Sequence, residues 1–216
     1  MKAKQFLVIG LGRFGRSVAK TLCELGHEVL AVDSDESLVT AIAPYVTQAM
    51  QLDATDEAAL STLGVGNFDA AVVSIGQNTR DSILISVLLK ELGVPFLITK
   101  ANDELHAKVL RKISADRVVF PERDMGARVA RSMLTPNVLD LMNLGDDHQI
   151  IEIRLPIGWA GSSIFSLNVR RRYGVNILAI RRDGRFLISP APDLPLESED
   201  VLLVMGRRED IEKLEP

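Results

Sequence analysis

The sequence has a single cysteine in 216 residues, Cys23, so no internal disulfide can form. Cys23 falls between Leu22 and Leu25 in a helix-period stretch, where a buried thiol is expected and no redox partner is in view. Basic residues are in deficit: 25 Lys and Arg face 29 Asp and Glu, a formal net charge of −4 that excludes nucleic acid as a partner. Long apolar runs are missing too. Nothing reaches the roughly 18 residues of a membrane span, and the apolar stretch from Phe6 to Gly12 is cut off by Arg13, too short for a signal peptide. A soluble, cytoplasmic protein is expected. There is no low-complexity segment and no internal repeat.

What is present is an apolar content of 47%, enough for one full domain and a smaller second one. Strand-like runs at Gln5–Ile9, Glu28–Val32, Gln48–Leu52, Ala70–Ser74, Phe96–Thr99 and Arg117–Phe120 alternate with segments of helical period such as Gly15–Leu25 and Asp81–Leu92. That alternation predicts an α/β domain with a doubly wound, Rossmann-like parallel sheet. Glu122–Leu144 reads as a long helical stretch bent at Pro136, with more apolar residues (Met125, Val129, Met133, Leu134, Val138, Leu139, Met142) than capping one sheet requires. Two readings stay open: part of it packs on another subunit, or it covers its own sheet.

The polar break Gly145-Asp146-Asp147 marks a boundary, giving domains at 1–145, with a crossover helix over about 123–144, and at 149–216. The second, smaller domain reads as α+β: Ile150–Leu155 alternates, Ser166–Tyr173 is helical, and Asn176–Arg182 with Arg185–Ser189 form a hairpin on Asp183-Gly184. Val201–Met205 adds a strand before a short charged helix.

Gly10-x-Gly12-x-x-Gly15 follows a strand and opens a helix, the context in which this motif binds a dinucleotide or nucleotide phosphate. The site therefore takes Gly10, Leu11, Gly12, Arg13, Phe14 and Gly15 from the first loop. Asp33 ends the second strand, 18 residues beyond Gly15, where an acceptor for ribose hydroxyls belongs and a 2′-phosphate would be repelled; Ser34 follows it. Asp53 with Ala54, Ile75 with Gly76, Lys100 and Glu122 come from the ends of the later strands. Asp53 either accepts from an adenine amino group or caps the helix over Ala54–Glu57. Lys100 either neutralises phosphate or is simply solvated, and Glu122 either helps hold a cation or meets a helix dipole.

Catalytic groups are missing. His27, His106 and His148 read as surface histidines in a turn, a helix and the inter-domain break; Tyr45 and Tyr173 are not followed by lysine at four-residue spacing. No Gly-x-Ser-x-Gly elbow or metal-ligand cluster occurs. The expectation is a nucleotide held as a signal without turnover.

Ile9-Gly-Leu-Gly-Arg-Phe-Gly15, Glu28-Val-Leu-Ala-Val-Asp33, Asp53-Ala-Thr-Asp56, Lys100-Ala101, Ala115–Glu122 and Asp124-Met-Gly126 together resemble the RCK (KTN plus C-terminal TrkA) regulators of potassium transport. Leu167–Arg170, Tyr173-Gly174, Ile177–Ile180 and Ile188–Pro192 extend the resemblance through the second domain. With the two-domain unit present once, the chain is similar to the Ktr-type members. The resemblance implies a cytoplasmic regulatory subunit, peripheral at the inner face of the membrane, that binds ATP or ADP, or NAD(H), with Mg2+ or Na+ at Glu122. It implies homodimers assembled into an octameric ring under a membrane-embedded, KtrB-like potassium-transporter subunit. It places Arg13 near the terminal phosphate held by a neighbouring subunit. It also implies a cyclic di-AMP site at a two-fold interface of the small domain, at Ile164, Arg170, Val175, Asn176, Ile177 and Pro192, against the plainer reading of Arg170-Arg171-Arg172 as a solvated face. The competing function is a nucleotide sensor, reading NADH, attached to another cation transporter such as a TrkH-type or cation–proton antiporter system.

Overall fold

The computed structural model describes residues 2–76, 78–134, 138–144 and 147–214. Chain contacts divide it into two compact units, residues 1–123 and 124–216.

The first unit runs β1 (Gln5–Ile9), α1 (Arg13–Glu24), β2 (Glu28–Asp33), α2 (Glu36–Ile42), β3 (Gln48–Gln51), α3 (Glu57–Ser61), β4 (Ala70–Val73), α4 (Thr79–Glu91), β5 (Leu97–Lys100), α5 (Glu104–Lys112) and β6 (Arg117–Val119). α6 (Pro121–Leu134) begins in it and crosses the division. The sheet is parallel, in the order β3-β2-β1-β4-β5-β6. That is the doubly wound order, reversing between β1 and β4. Alternate residues feed opposite faces: Leu7, Ile9, Ala71, Val73 and Leu97 join Ile85 and Leu89 of α4, while Val8, Ala31 and Val72 join Ala19 of α1. Each fully buried Leu or Ile here contributes about 1.5–3 kcal/mol of transfer free energy.

All six expected strands form, within a residue or so at their ends. Cys23 is half-buried rather than buried, its sulfur 3.9 Å from Thr47 Oγ1 at the edge of the α1 face. His106 departs from expectation in the other direction. It is 2% exposed, because α5 turns it inward beside the buried Ala107. Asp103 caps that helix, accepting from the His106 N–H at 2.8 Å, and the Asn102 N–H donates to Nδ1 at 3.4 Å.

The second unit carries a five-stranded sheet in the order β10-β9-β11-β8-β7, built from β7 (Val138–Leu144), β8 (His148–Arg154), α7 (Ile164–Leu167), α8 (Val169–Tyr173), β9 (Asn176–Arg182), β10 (Arg185–Ile188), β11 (Val201–Arg207) and α9 (Arg208–Ile211). Its pairings are antiparallel. Ile151, Ile153, Ile180, Leu202 and Val204 pack against Trp159, Val169 and Val175. Asp183 (φ 49) and Gly184 (φ 75) adopt the left-handed conformation that the hairpin turn needs.

The expected helix does not continue to Leu144. Residues 138–144 form β7 and pair with β8, so sheet pairing overrides the helical spacing of their apolar residues, and the boundary read at 145 falls inside the second compact unit. Pro136, Gly145 and Asp146 lie outside the described residues. The single helix expected over Ser166–Tyr173 is two, separated by Asn168 at φ 47.

Candidate functional site

Every candidate nucleotide residue lies at the carboxyl edge of the parallel sheet. Gly10 has φ 90°, and a Cβ there would lie 3.0 Å from the Ser74 carbonyl carbon; one on Gly15 would overlap the Gly10 carbonyl oxygen. Only glycine lets β1, β4 and α1 close to this distance. Gly12 is different: no atom of the described residues lies within 4 Å of a Cβ built on it, so the face of the turn above it is open to them. No side chain among the described residues caps α1, and its first turn carries no acidic residue. A twelve-residue helix with orphan first-turn amides and a positive end, facing open space, fits an anionic group.

Asp33 ties the turn to β2. Its Oδ2 accepts the Leu11 N–H at 2.6 Å and its Oδ1 accepts the Asp35 N–H at 2.9 Å, leaving lone pairs on a half-exposed carboxylate beside the glycine turn. Leu11 and Ala54 are buried in the core, so they can serve a ligand through backbone only. Phe14 also packs its side chain toward the α1-side core, while Arg13 and Ser34 are exposed and the Ser34 carbonyl accepts from Gln51.

Asp53 does not cap α3. Asp56 does, accepting from Ala58 and Ala59, while Asp53 accepts the Thr55 hydroxyl at 2.7 Å and its N–H at 2.9 Å. Those two bonds hold the Asp53 carboxyl below its ordinary pKa and leave its second oxygen unengaged by them.

Lys100 and Glu122 come together. The ammonium lies 2.5 Å from Glu122 Oε1, with the lysine side chain 13% exposed and the glutamate 71% exposed. This hydrogen bond, aided by the lysine charge, lowers the Glu122 pKa. Lys100 Nζ also lies against the Ile75-Gly76 turn, 3.1 Å from where a Cβ on Gly76 would stand. Asn102, which sequence reasoning missed, donates its side-chain amide to the Gly76 carbonyl and joins the loops after β4 and β5. Its position two residues past Lys100 was the available signal. Ser74 was also missed; its hydroxyl is buried beside the glycine turn with no hydrogen-bond partner among the described residues.

Among the described residues no group of three or more His, Cys, Asp or Glu is placed to hold a metal ion. Glu122 alone is an incomplete cation site, and phosphate oxygens would have to supply further ligands. Of the three histidines, His27 stacks edge-on against Phe6, His106 is buried in the first unit, and His148 is exposed on β8 in the second.

In the second unit, the Phe165 N–H donates to the Pro192 carbonyl at 2.8 Å, bringing α7 beside the Pro192 loop. Arg170 and Pro192 are exposed, and Ile164, Asn176 and Ile177 are half-buried. Val175 does not fit the expected role. Its side chain is fully buried, packed toward Gly206 and the core, and cannot cover a purine face.

The comparisons with known proteins cover both units. A TrkA-N domain model matches residues 6–121 and a TrkA-C domain model matches residues 150–216. Ktr system potassium uptake protein A of Bacillus subtilis (strain 168) is 46% identical over 215 residues, spanning 100% of this chain and 97% of the relative. Ktr system potassium uptake protein C of the same organism is 44% identical, over 98% of this chain and 96% of that one. The GsuK channel shares the fold at a TM-score of 0.68 and 18% identity, over 99% of this chain and 39% of that chain. No helix among the described residues is long and apolar enough to cross a membrane. The chain belongs to the RCK family of potassium-transport proteins, built from a TrkA-N and a TrkA-C domain.

Proposed function

We propose that this chain is the cytosolic, nucleotide-sensing subunit of a Ktr-type potassium uptake system, binding ATP and ADP in the first unit without turning them over. The observation that carries the reading is the Asp33 carboxylate, fastened to Leu11 across the glycine turn and set beside the open face at Gly12. A ribose presents two hydroxyls to such an acceptor, and the α1 amides meet the phosphates. ATP, ADP and NADH all offer that ribose. A GsuK structure is described as bound to NAD, so NADH belongs in the same binding panel.

ATP and ADP differ by one phosphate, and an effector shifts an equilibrium only through a difference in what it contacts. Exposed Arg13 supplies the guanidinium that reads it, across a homodimer within an octameric ring under a KtrB-like membrane subunit. Glu122, with phosphate oxygens, holds Mg2+ or Na+. The test is calorimetry with ATP, ADP and NADH together with analysis of the nucleotide afterwards. Saturable ATP and ADP binding with no hydrolysis supports the reading; NADH binding alone supports the sensor of another cation transporter.

In the small domain, cyclic di-AMP is the second ligand, held by Arg170 on its phosphate and by Asn176, Ile164, Ile177 and Pro192 around its base. The contact between α7 and the Pro192 loop favours it by putting two of those elements side by side.

A further inference from the structure

Lys100 and Glu122 serve two different tasks in the proposed site, yet they occupy each other. The ammonium is mostly buried against the Ile75-Gly76 turn, 2.5 Å from the carboxylate, at the carboxyl edge of the parallel sheet, the edge on which a doubly wound fold receives its ligand. Turning its donors toward a phosphate, an acceptor of greater negative charge, weakens its hold on Glu122. Once released, Glu122 is an uncompensated carboxylate beside phosphate, an arrangement that a cation between them relieves.

We infer that the Lys100–Glu122 ion pair is an exchange latch, in which Lys100 fills the place of a cation beside Glu122 until nucleotide phosphate draws the ammonium away and a cation takes over the carboxylate. The inference rests on the nucleotide reading above and adds a coupling to it. Phosphate and cation favour each other's binding because both act on one ion pair, and the coupling is reciprocal. With no cluster of three or more ligating side chains among the described residues, the cation has little hold here until phosphate arrives. Lys100 is thereby the residue that makes nucleotide affinity depend on the cation.

The test is a four-protein cycle on the full chain: the unsubstituted protein, Lys100→Met, Glu122→Gln and the double variant. ATP is titrated in EDTA and again with Mg2+. Mg2+ is expected to tighten ATP binding about tenfold in the unsubstituted protein. In EDTA, Glu122→Gln should tighten ATP about fivefold, because it frees Lys100, and by a smaller factor when Lys100 is already Met and only the repulsion between carboxylate and phosphate is relieved. A gain that is as large or larger in the Lys100→Met background overturns the latch, since a carboxylate that merely repels phosphate repels it more once the ammonium is gone. Nitrogen-15 NMR of the lysine ammonium gives a reading independent of affinity. The Lys100 signal should respond to Glu122→Gln in the nucleotide-free protein and not with ATP and Mg2+ bound; an equal response in both states overturns the exchange. If the unsubstituted protein binds no ATP even with Mg2+, the nucleotide reading falls and the latch with it; if ATP binds and the cycle fails, only the latch falls.

Discussion

Asp33 Oδ2 accepts the Leu11 N–H at 2.6 Å, so the carboxylate that would meet a ribose also fixes the glycine turn that would meet its phosphates. Removing the carboxylate removes a charge-assisted acceptor and loosens the turn at once. Asp33→Ala is expected to weaken ATP, ADP and NADH alike by about 1.5–3 kcal/mol in calorimetry. Unchanged affinity would remove the ribose assignment.

The glycines of the turn should separate stability from binding. A Cβ at Gly15 overlaps the Gly10 carbonyl oxygen, so Gly15→Ala is expected to cost roughly 2 kcal/mol or more of stability in denaturant unfolding. A Cβ at Gly12 meets nothing within 4 Å among the described residues. Gly12→Ala should leave stability within about 0.5 kcal/mol and weaken nucleotide roughly tenfold, equivalent to about 1.4 kcal/mol.

His106 gives a pH dependence. Burial, partly offset by the Asp103 charge, holds its pKa below the ordinary 6.5. Below pH 6.5 the unfolded chain takes up a proton that the folded chain resists. The contribution to stability is therefore complete above that pH and is lost as pH falls toward the folded-state value. The unfolding midpoint should drop more between about pH 7 and about pH 5.5 in the unsubstituted protein than in His106→Asn. Parallel pH profiles would contradict it.

Much of this architecture was legible because its signals are local. Alternating strand and helix periods located β1 to β6, and a strand–glycine–helix context with a carboxylate ending β2 singled out the glycine turn and Asp33, which the structure joins by a hydrogen bond. The failures lie where pairing or packing overrides local period. Val138, Leu139 and Met142 have helical spacing, but antiparallel pairing with β8, which begins at His148, decides their conformation, and Gly145-Asp146-Asp147 between the two strands reads as a domain boundary in sequence. His106 looked superficial after Asp103-Glu104; its burial depends on which face of α5 meets the core. Lys100 and Glu122 are 22 residues apart, and only the adjacency of β5 and β6 joins them.

The small domain offers a direct prediction. Arg170 is exposed on α8, whereas Val175 is locked in the core. On the full chain, Arg170→Ala should weaken cyclic di-AMP by about 1.5–3 kcal/mol and leave ATP binding unchanged. Absence of saturable cyclic di-AMP binding at micromolar concentration would leave Arg170-Arg171-Arg172 as a solvated basic face.

The central claim is that nucleotide identity, read without chemistry, sets potassium flux. It is tested most directly by potassium flux through proteoliposomes holding the Ktr-type membrane subunit together with this chain, compared in ATP and in ADP. Different fluxes with the two nucleotides, no nucleotide consumed, and a difference abolished by Arg13→Ala are the predicted result. Equal flux with ATP, with ADP and with neither would contradict it.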